Sequence, residues 1–288
     1  MPPVEEQAKI ATAFSTPHDG VHRHTFVGAN FFMQQMLNAH HDELGVDAST
    51  GALTEAAVRT TAYLQSQAAR ITVGAAQLKG SSLSFSVMVQ NLSGHKFPTG
   101  FPSRRAWIHV VVTDSTGKVV FESGKLNPDG SIVGNANDTD PARYSPHFAQ
   151  ITEANQVEIF EPILGDTEDH VTTGLLAATH YLKDNRILPD GFDKESSPSD
   201  TAVRGNAATD PKFVGGSATT EYVIATHGAA GPLHVYVELA YQPVGYRWAH
   251  NLASYKADEP TRFVAYYDQV GSQSALVIAR AETNVAAR

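Results

Sequence analysis

Histidine is the one residue type in surplus that can carry chemistry: the 288-residue chain has thirteen and no cysteine. Three of them, His18, His22 and His24, crowd the N-terminal region around Arg23. Side chains two residues apart share a side only where the backbone is extended. His22 and His24 could therefore hold one ion only from a strand or an extended loop. Imidazole nitrogen suits copper and zinc, and the cluster reads as a copper candidate. A loop of solvated histidines fits the same spacing. His40-His41 reads as surface, because neighbours on a helix diverge by about 100°. The missing thiols exclude disulfides, thiolate metal centres, cysteine nucleophiles, iron–sulfur clusters and covalent haem attachment through C-x-x-C-H.

The stretch from Asn91 to Trp107, NLSGHKFPTGFPSRRAW, is the most informative. It joins two predicted strands and holds Gly94, Gly100, Pro98 and Pro102 around a single histidine, His95, and an arginine pair, Arg104-Arg105. Proline fixes φ and glycine permits positive φ, so the loop has a defined shape. Spacing favours a structural corner in which His95 hydrogen-bonds the backbone. A rigid loop with one histidine also suits an axial ligand. A second loop, Asn127-Pro128-Asp129-Gly130 followed by Asn135-Ala136-Asn137-Asp138-Thr139-Asp140, is rich in oxygen. Calcium takes roughly six to eight oxygen ligands, which makes Asn135, Asn137, Asp138 and Asp140 calcium candidates. Ordinary turns use the same residues, and the spacing is not that of an EF-hand.

No nucleophile elbow, zinc-protease motif or glycine-rich phosphate loop occurs, so no catalytic constellation can be named and the chain does not read as an enzyme. Asp166, Glu168, Asp169 and His170 read as a charged loop. Trp248 and the tyrosines at 241, 246, 255, 266 and 267 give the C-terminal part an aromatic character that core packing explains.

The elements that must position these residues follow from period. Leu83-Ser84-Phe85-Ser86-Val87-Met88-Val89 alternates as a half-buried strand does. Trp107–Thr113, Val119–Glu122, Val157–Phe160, Tyr222–Ile224 and Leu233–Leu239 are further predicted strands, with a hairpin turn at Asp114–Lys118. Helical spacing predicts a short helix from Asn30, one from about Leu53 to Ile71 with Thr54 in its first turn, and insertions over Gly174–Lys183, over Arg247–Tyr255 and after Pro260. Asp184–Gly216 reads as long surface loops. The expected fold is mainly β: an antiparallel β-sandwich with helical insertions over 72–288, behind a small helical N-terminal region over 1–71. Hydrophobic residues at 42%, charged residues at 18% and a net charge of −9 describe a core-forming chain. That charge argues against nucleic acid as partner. No apolar run approaches the about twenty residues of a membrane-spanning helix, and Met1-Pro2-Pro3-Val4-Glu5-Glu6 does not read as a secretory signal.

The block from Gly94 to Trp107 resembles the C-terminal region of multihaem c-type cytochromes. The likeness continues through Val119–Gly124, Thr172–Leu176, Tyr181–Arg186, Leu188-Pro189, Gly191–Lys194 and Tyr241–Trp248. His24–Phe32 is similar to the segment after the last haem motif there, and Met1-Pro2 to the Met-Pro that often follows C-x-x-C-H. The resemblance covers most of the chain. The absence of cysteine departs from it, so the resemblance implies a haem-free C-terminal portion: an accessory or docking domain for electron transfer, periplasmic or extracellular. Its haem c would be carried by the parent protein or by a multihaem or other redox partner. It also implies that His24 and His95 could offer a distal imidazole to that haem. Two alternatives stand beside it: an independent secreted copper-binding protein, and a carbohydrate- or surface-binding sandwich module.

Overall fold

The structure is a computed structural model that describes residues 3–23, 27–229 and 231–286. The chain divides into two compact units, Met1–Tyr63 and Leu64–Arg288.

In the first unit, β1 (Ala8–Lys9) pairs with β2 (Pro17–His18), and two helices follow. Helix α1 (Phe31–Ala39) starts where the Asn30 side chain accepts the Met33 N–H at 3.1 Å, a standard N-cap. It buries Phe31, Phe32 and Met36. Helix α2 (Thr50–Tyr63) begins behind Ser49, whose hydroxyl accepts the Ala52 N–H. The expected start near Thr54 is late, because Thr54 lies within the helix and donates its hydroxyl to the Thr50 carbonyl. The expected helical end at Ile71 is also corrected. Tyr63 gives way to a π-helical turn over Leu64–Ala68 and then to a strand. Ala69 and Ile71 are buried while Arg70 and Thr72 are exposed, the period of two that marks a sheet.

The second unit is mainly β and antiparallel. Its strands are β3 (Ala69–Val73), β4 (Gln77–Lys79), β5 (Ser82–Asn91), β6 (Arg105–Thr113), β7 (Val119–Ser123), β8 (Gln150–Ile151), β9 (Ile159–Phe160), β10 (Pro162–Gly165), β11 (Val171–Thr172), β12 (His180–Asp184), β13 (Phe213–Val214), β14 (Ser217–Ala225), β15 (Leu233–Gln242) and β16 (Leu276–Val285). One sheet runs β13-β14-β5-β3, with β4 on β5 and β8 parallel to β14. The other runs β16-β15-β6-β7, with β9 on β6. The two form a sandwich whose core takes Leu83, Phe85, Val87 and Val89 from β5, Tyr222 and Ile224 from β14, Ile108, Val110 and Val112 from β6, and Leu233, Val235, Val237 and Leu239 from β15. Tyr222 stacks on Phe85 within its sheet and meets the Phe121 ring of the other sheet edge-on at 6.5 Å. A third, small sheet runs β11-β10-β12.

The Gly174–Lys183 insertion is not helical. Leu175 and Leu176 sit in an exposed turn, and His180–Asp184 is β12, paired with β10. The short helix α3 (Ala136–Thr139) lies in the long connection after β7. Helices α4 (Tyr246–His250) and α5 (Asp258–Val270) stand where the C-terminal insertions were expected, with Pro260 in the first turn of α5.

The first half of β6 is buried on both faces, because the chain after β7 folds over its outer side. Trp107, Ile132, Val157, Ile159 and Ala240 pack there as a second apolar cluster. The Trp107 indole donates to the Gly124 carbonyl at 2.8 Å. Gly124 has φ +80°, and a Cβ there would sit 2.6 Å from the Ile108 carbonyl oxygen. Gly124→Ala is therefore expected to destabilise the protein by about 1–3 kcal/mol, seen as a lower urea midpoint at an unchanged slope.

Candidate functional site

The loop between β5 and β6 is clamped at several points. Asn91, buried at the end of β5, donates its amide to the His95 carbonyl at 2.6 Å and to the Ile187 carbonyl at 3.0 Å. Its amide oxygen accepts the Ser93 N–H, and the Ser93 hydroxyl lies between that oxygen and the His95 carbonyl. Phe97 exchanges both backbone hydrogen bonds with Ile187, at 2.8 and 2.7 Å, and its buried ring packs 6.2 Å from that of Tyr241. The Arg104 guanidinium closes the loop onto the Thr99 carbonyl at 2.8 Å. Phe101 is half-exposed and makes an edge-type contact with the Trp248 ring on α4, centroids 5.3 Å apart.

The defined shape expected from the prolines and glycines is thus made by side-chain-to-backbone bonds. At the corner it is the His95 carbonyl that is anchored, accepting from the Asn91 and Ser93 side chains, while the residue itself is solvent-exposed. The residue couples a fixed main chain to an accessible imidazole.

Next to it, Lys96 turns inward. Its ammonium lies 2.6 Å from an Asp184 oxygen, and Arg186 grips the same carboxylate with Nε at 2.7 Å and Nη2 at 2.8 Å. Burial disfavours the charged form of Asp184, but the Arg186 fork and Lys96 outweigh it and hold its carboxyl below the usual range. Burial also draws the Lys96 ammonium below its ordinary value; Asp184 opposes that fall, while Arg186 and Arg204 add to it. Lys96 lies over the Phe192 ring and Arg186 over the Tyr181 ring.

Two histidines that the sequence does not single out lie between carboxylates. His147, buried, is 2.6 Å from Glu158 through Nδ1 and 3.0 Å from Asp210 through Nε2. His109 bridges Glu238 at 3.1 Å and Glu122 at 3.2 Å on the outer face of its sheet. Hydrogen bonding from His109 is the leading reason that the Glu238 carboxyl falls to about 2.

The residues proposed for metals fall elsewhere. His18 lies in β2 and His22 bridges to Pro3, both exposed on extended backbone; His24 lies outside the described residues. Asn135 caps α3, accepting the Asn137 N–H. Asn137 donates to the Arg143 carbonyl, and Asp140 accepts the Ala142 N–H. Asp138 gives both carboxylate oxygens to Arg105, at 2.7 and 2.9 Å. Among the described residues, no three histidine, aspartate or glutamate side chains converge as metal donors.

No family model and no curated protein matches the chain. Among solved structures it is similar to a penta-heme cytochrome c552 from Thermochromatium tepidum, at 17% identity and a TM-score of 0.42. The match covers 78% of this chain and 41% of that one, so the chain spans less than half of that cytochrome's length.

Proposed function

We propose that the chain is an accessory or docking domain of a multihaem c-type electron-transfer system, in a periplasmic or extracellular setting. In this reading His95 offers a distal imidazole to a haem held by another part of the parent protein or by a partner. One observation carries it: an exposed imidazole on a backbone fixed by Asn91 and Ser93. A ligand whose main chain is already ordered loses little entropy on binding, which favours a loop of this kind over a mobile one. Haem iron accepts a neutral imidazole nitrogen, and the axial ligand sets its potential. Without cysteine the chain leaves covalent attachment to another polypeptide segment. The resemblance of the Gly94–Trp107 block to multihaem cytochromes supports the same reading, and His24 is the second residue it assigns.

Hemin titration of the purified chain tests this. Low-spin absorption bands are expected to develop, and His95→Ala is expected to abolish or sharply reduce them while leaving the far-UV circular dichroism unchanged. His24→Ala measures the share of the second histidine. Low-spin bands of equal strength in the native chain and in His95→Ala, or no such bands at all, remove His95 as a ligand.

A further inference from the structure

Around Asp184 two cationic side chains, Lys96 and Arg186, share one carboxylate, and Arg204, bridged to Asp184 through the backbone, adds a third positive charge nearby. We propose that this cluster is a receptor for a small oxyanion of the carboxylate or phosphate class, bound beside Asp184 by Lys96, Arg186 and Arg204. The proposal does not depend on haem and goes beyond the docking role.

Charge balance is the first argument. The Lys96 and Arg186 side chains are only 11% and 14% exposed, and the carboxylate they share is 1% exposed. Arg204 has no acidic partner among the described residues; its guanidinium donates to the Ser199 carbonyl at 2.8 Å. Lys96 and Arg186 therefore set two positive charges against the one of Asp184 largely away from bulk water, where repulsion is poorly screened, and the exposed Arg204 adds a third at the edge. This occurs in a chain whose net charge is −9. A bound anion relieves that imbalance.

The second argument is donor count. An ammonium has three N–H donors and a guanidinium five. Asp184 takes one from Lys96 and two from Arg186, so donors remain on both. The third argument is preorganisation. Lys96 sits between the clamped His95 and Phe97. Asp184 and Arg204 exchange two backbone hydrogen bonds at 3.2 Å. The Phe192 and Tyr181 rings support the Lys96 and Arg186 heads. The way Asp184 is already held, by an arginine fork and an ammonium, is the way such groups recognise an oxyanion.

Isothermal titration of the full chain at low ionic strength, with inorganic phosphate in one arm and succinate in the other, tests the site and identifies the preferred class. Saturable binding at one site is expected in at least one arm. Arg204→Ala, an exposed change outside the Asp184 carboxylate contact, should weaken it by about tenfold, the loss of one charge-assisted hydrogen bond. Asp184→Asn should tighten binding, because it removes the competing internal anion; a purely structural ion cluster predicts no such gain. Where Asp184→Asn does not fold, Arg204→Ala decides alone. No saturable heat in either arm, or equal affinity in Arg204→Ala and the native chain, overturns the proposal. Hemin binding by His95 survives or fails separately, since neither titrant reports on it.

Discussion

Asp138→Ala is expected to lower the free energy of unfolding by about 3–5 kcal/mol, the loss associated with breaking a buried ion pair from one side. Arg105 begins β6 on the outer face of its sheet, 4% exposed. Its Nη1 and Nη2 take the two Asp138 oxygens, and its Nε donates to Gln242 at 2.7 Å. Without the carboxylate the guanidinium stays buried with only neutral acceptors, and the Ile132 N–H loses its bond to Asp138. The damage spreads, because this pair fixes the connection that covers Trp107. Gln242 and Arg105 both donate to the Gly130 carbonyl, Gln242 reaches Ser274, and Arg247 holds the Asn137 and Asp138 carbonyls. Urea unfolding measures the loss. The double variant Arg105→Met/Asp138→Leu should recover most of it, since replacing both charges by apolar groups is commonly close to neutral. A loss below about 1 kcal/mol in Asp138→Ala would mean that water reaches Arg105 and the pair is not a closed lock.

The same residues mark the limit of what a sequence discloses. Strands β5 and β15 were legible because much of each alternates between a dry and a wetter side: Leu83, Phe85, Val87 and Val89 with Ser84, Ser86 and Met88, and Leu233, Val235, Val237 and Leu239 with His234, Tyr236 and Glu238. The hairpin turn was legible because Asp114 accepts from Thr116 and Lys118, a local bond set with a local signature. Ile71 was misread because Leu64, Ala68 and Ile71 also fit a helical spacing, and only pairing with β5 decides between the periods. Leu175 and Leu176 were misread for the opposite reason: an apolar spacing lies exposed in a turn, where it has no core to face. The shape of the His95 loop followed from its prolines and glycines, but the clamping of the His95 carbonyl by Asn91 and Ser93 did not. The ion clusters left no trace, since Lys96 finds Asp184 across 88 positions and His147 finds Asp210 across 63. Asp138 is one oxygen-bearing residue among several in its loop, and its pairing with Arg105, 33 positions away, has no local signature.

His147 is expected to make stability depend on pH. Burial alone would lower its pKa, and Lys183 acts in the same direction, but the charge and hydrogen bond of Glu158 and the hydrogen bond of Asp210 raise it above the ordinary value. A histidine whose folded pKa exceeds its unfolded value, about 6.5, stabilises fully below that pH. Its contribution then declines as pH rises through the folded pKa, at up to about 1.4 kcal/mol per pH unit. The unfolding free energy should therefore fall as pH is raised from about 6.5. His109 is also raised, because Glu238 and Glu122 outweigh its burial, so it adds a slope of the same sign from the sheet surface. The variants separate the two. His147→Gln should cost about 3 kcal/mol or more at pH 6, where Glu158 and Asp210 lose the cation between them, and should flatten the pH dependence. His109→Gln should remove only its own part of the slope at a smaller cost, since its partners are partly solvated. Urea midpoints measured from pH 6 to 9 decide the matter. A flat profile in the native chain, or an undiminished slope in His147→Gln, would mean that the buried imidazole does not gain a proton on folding.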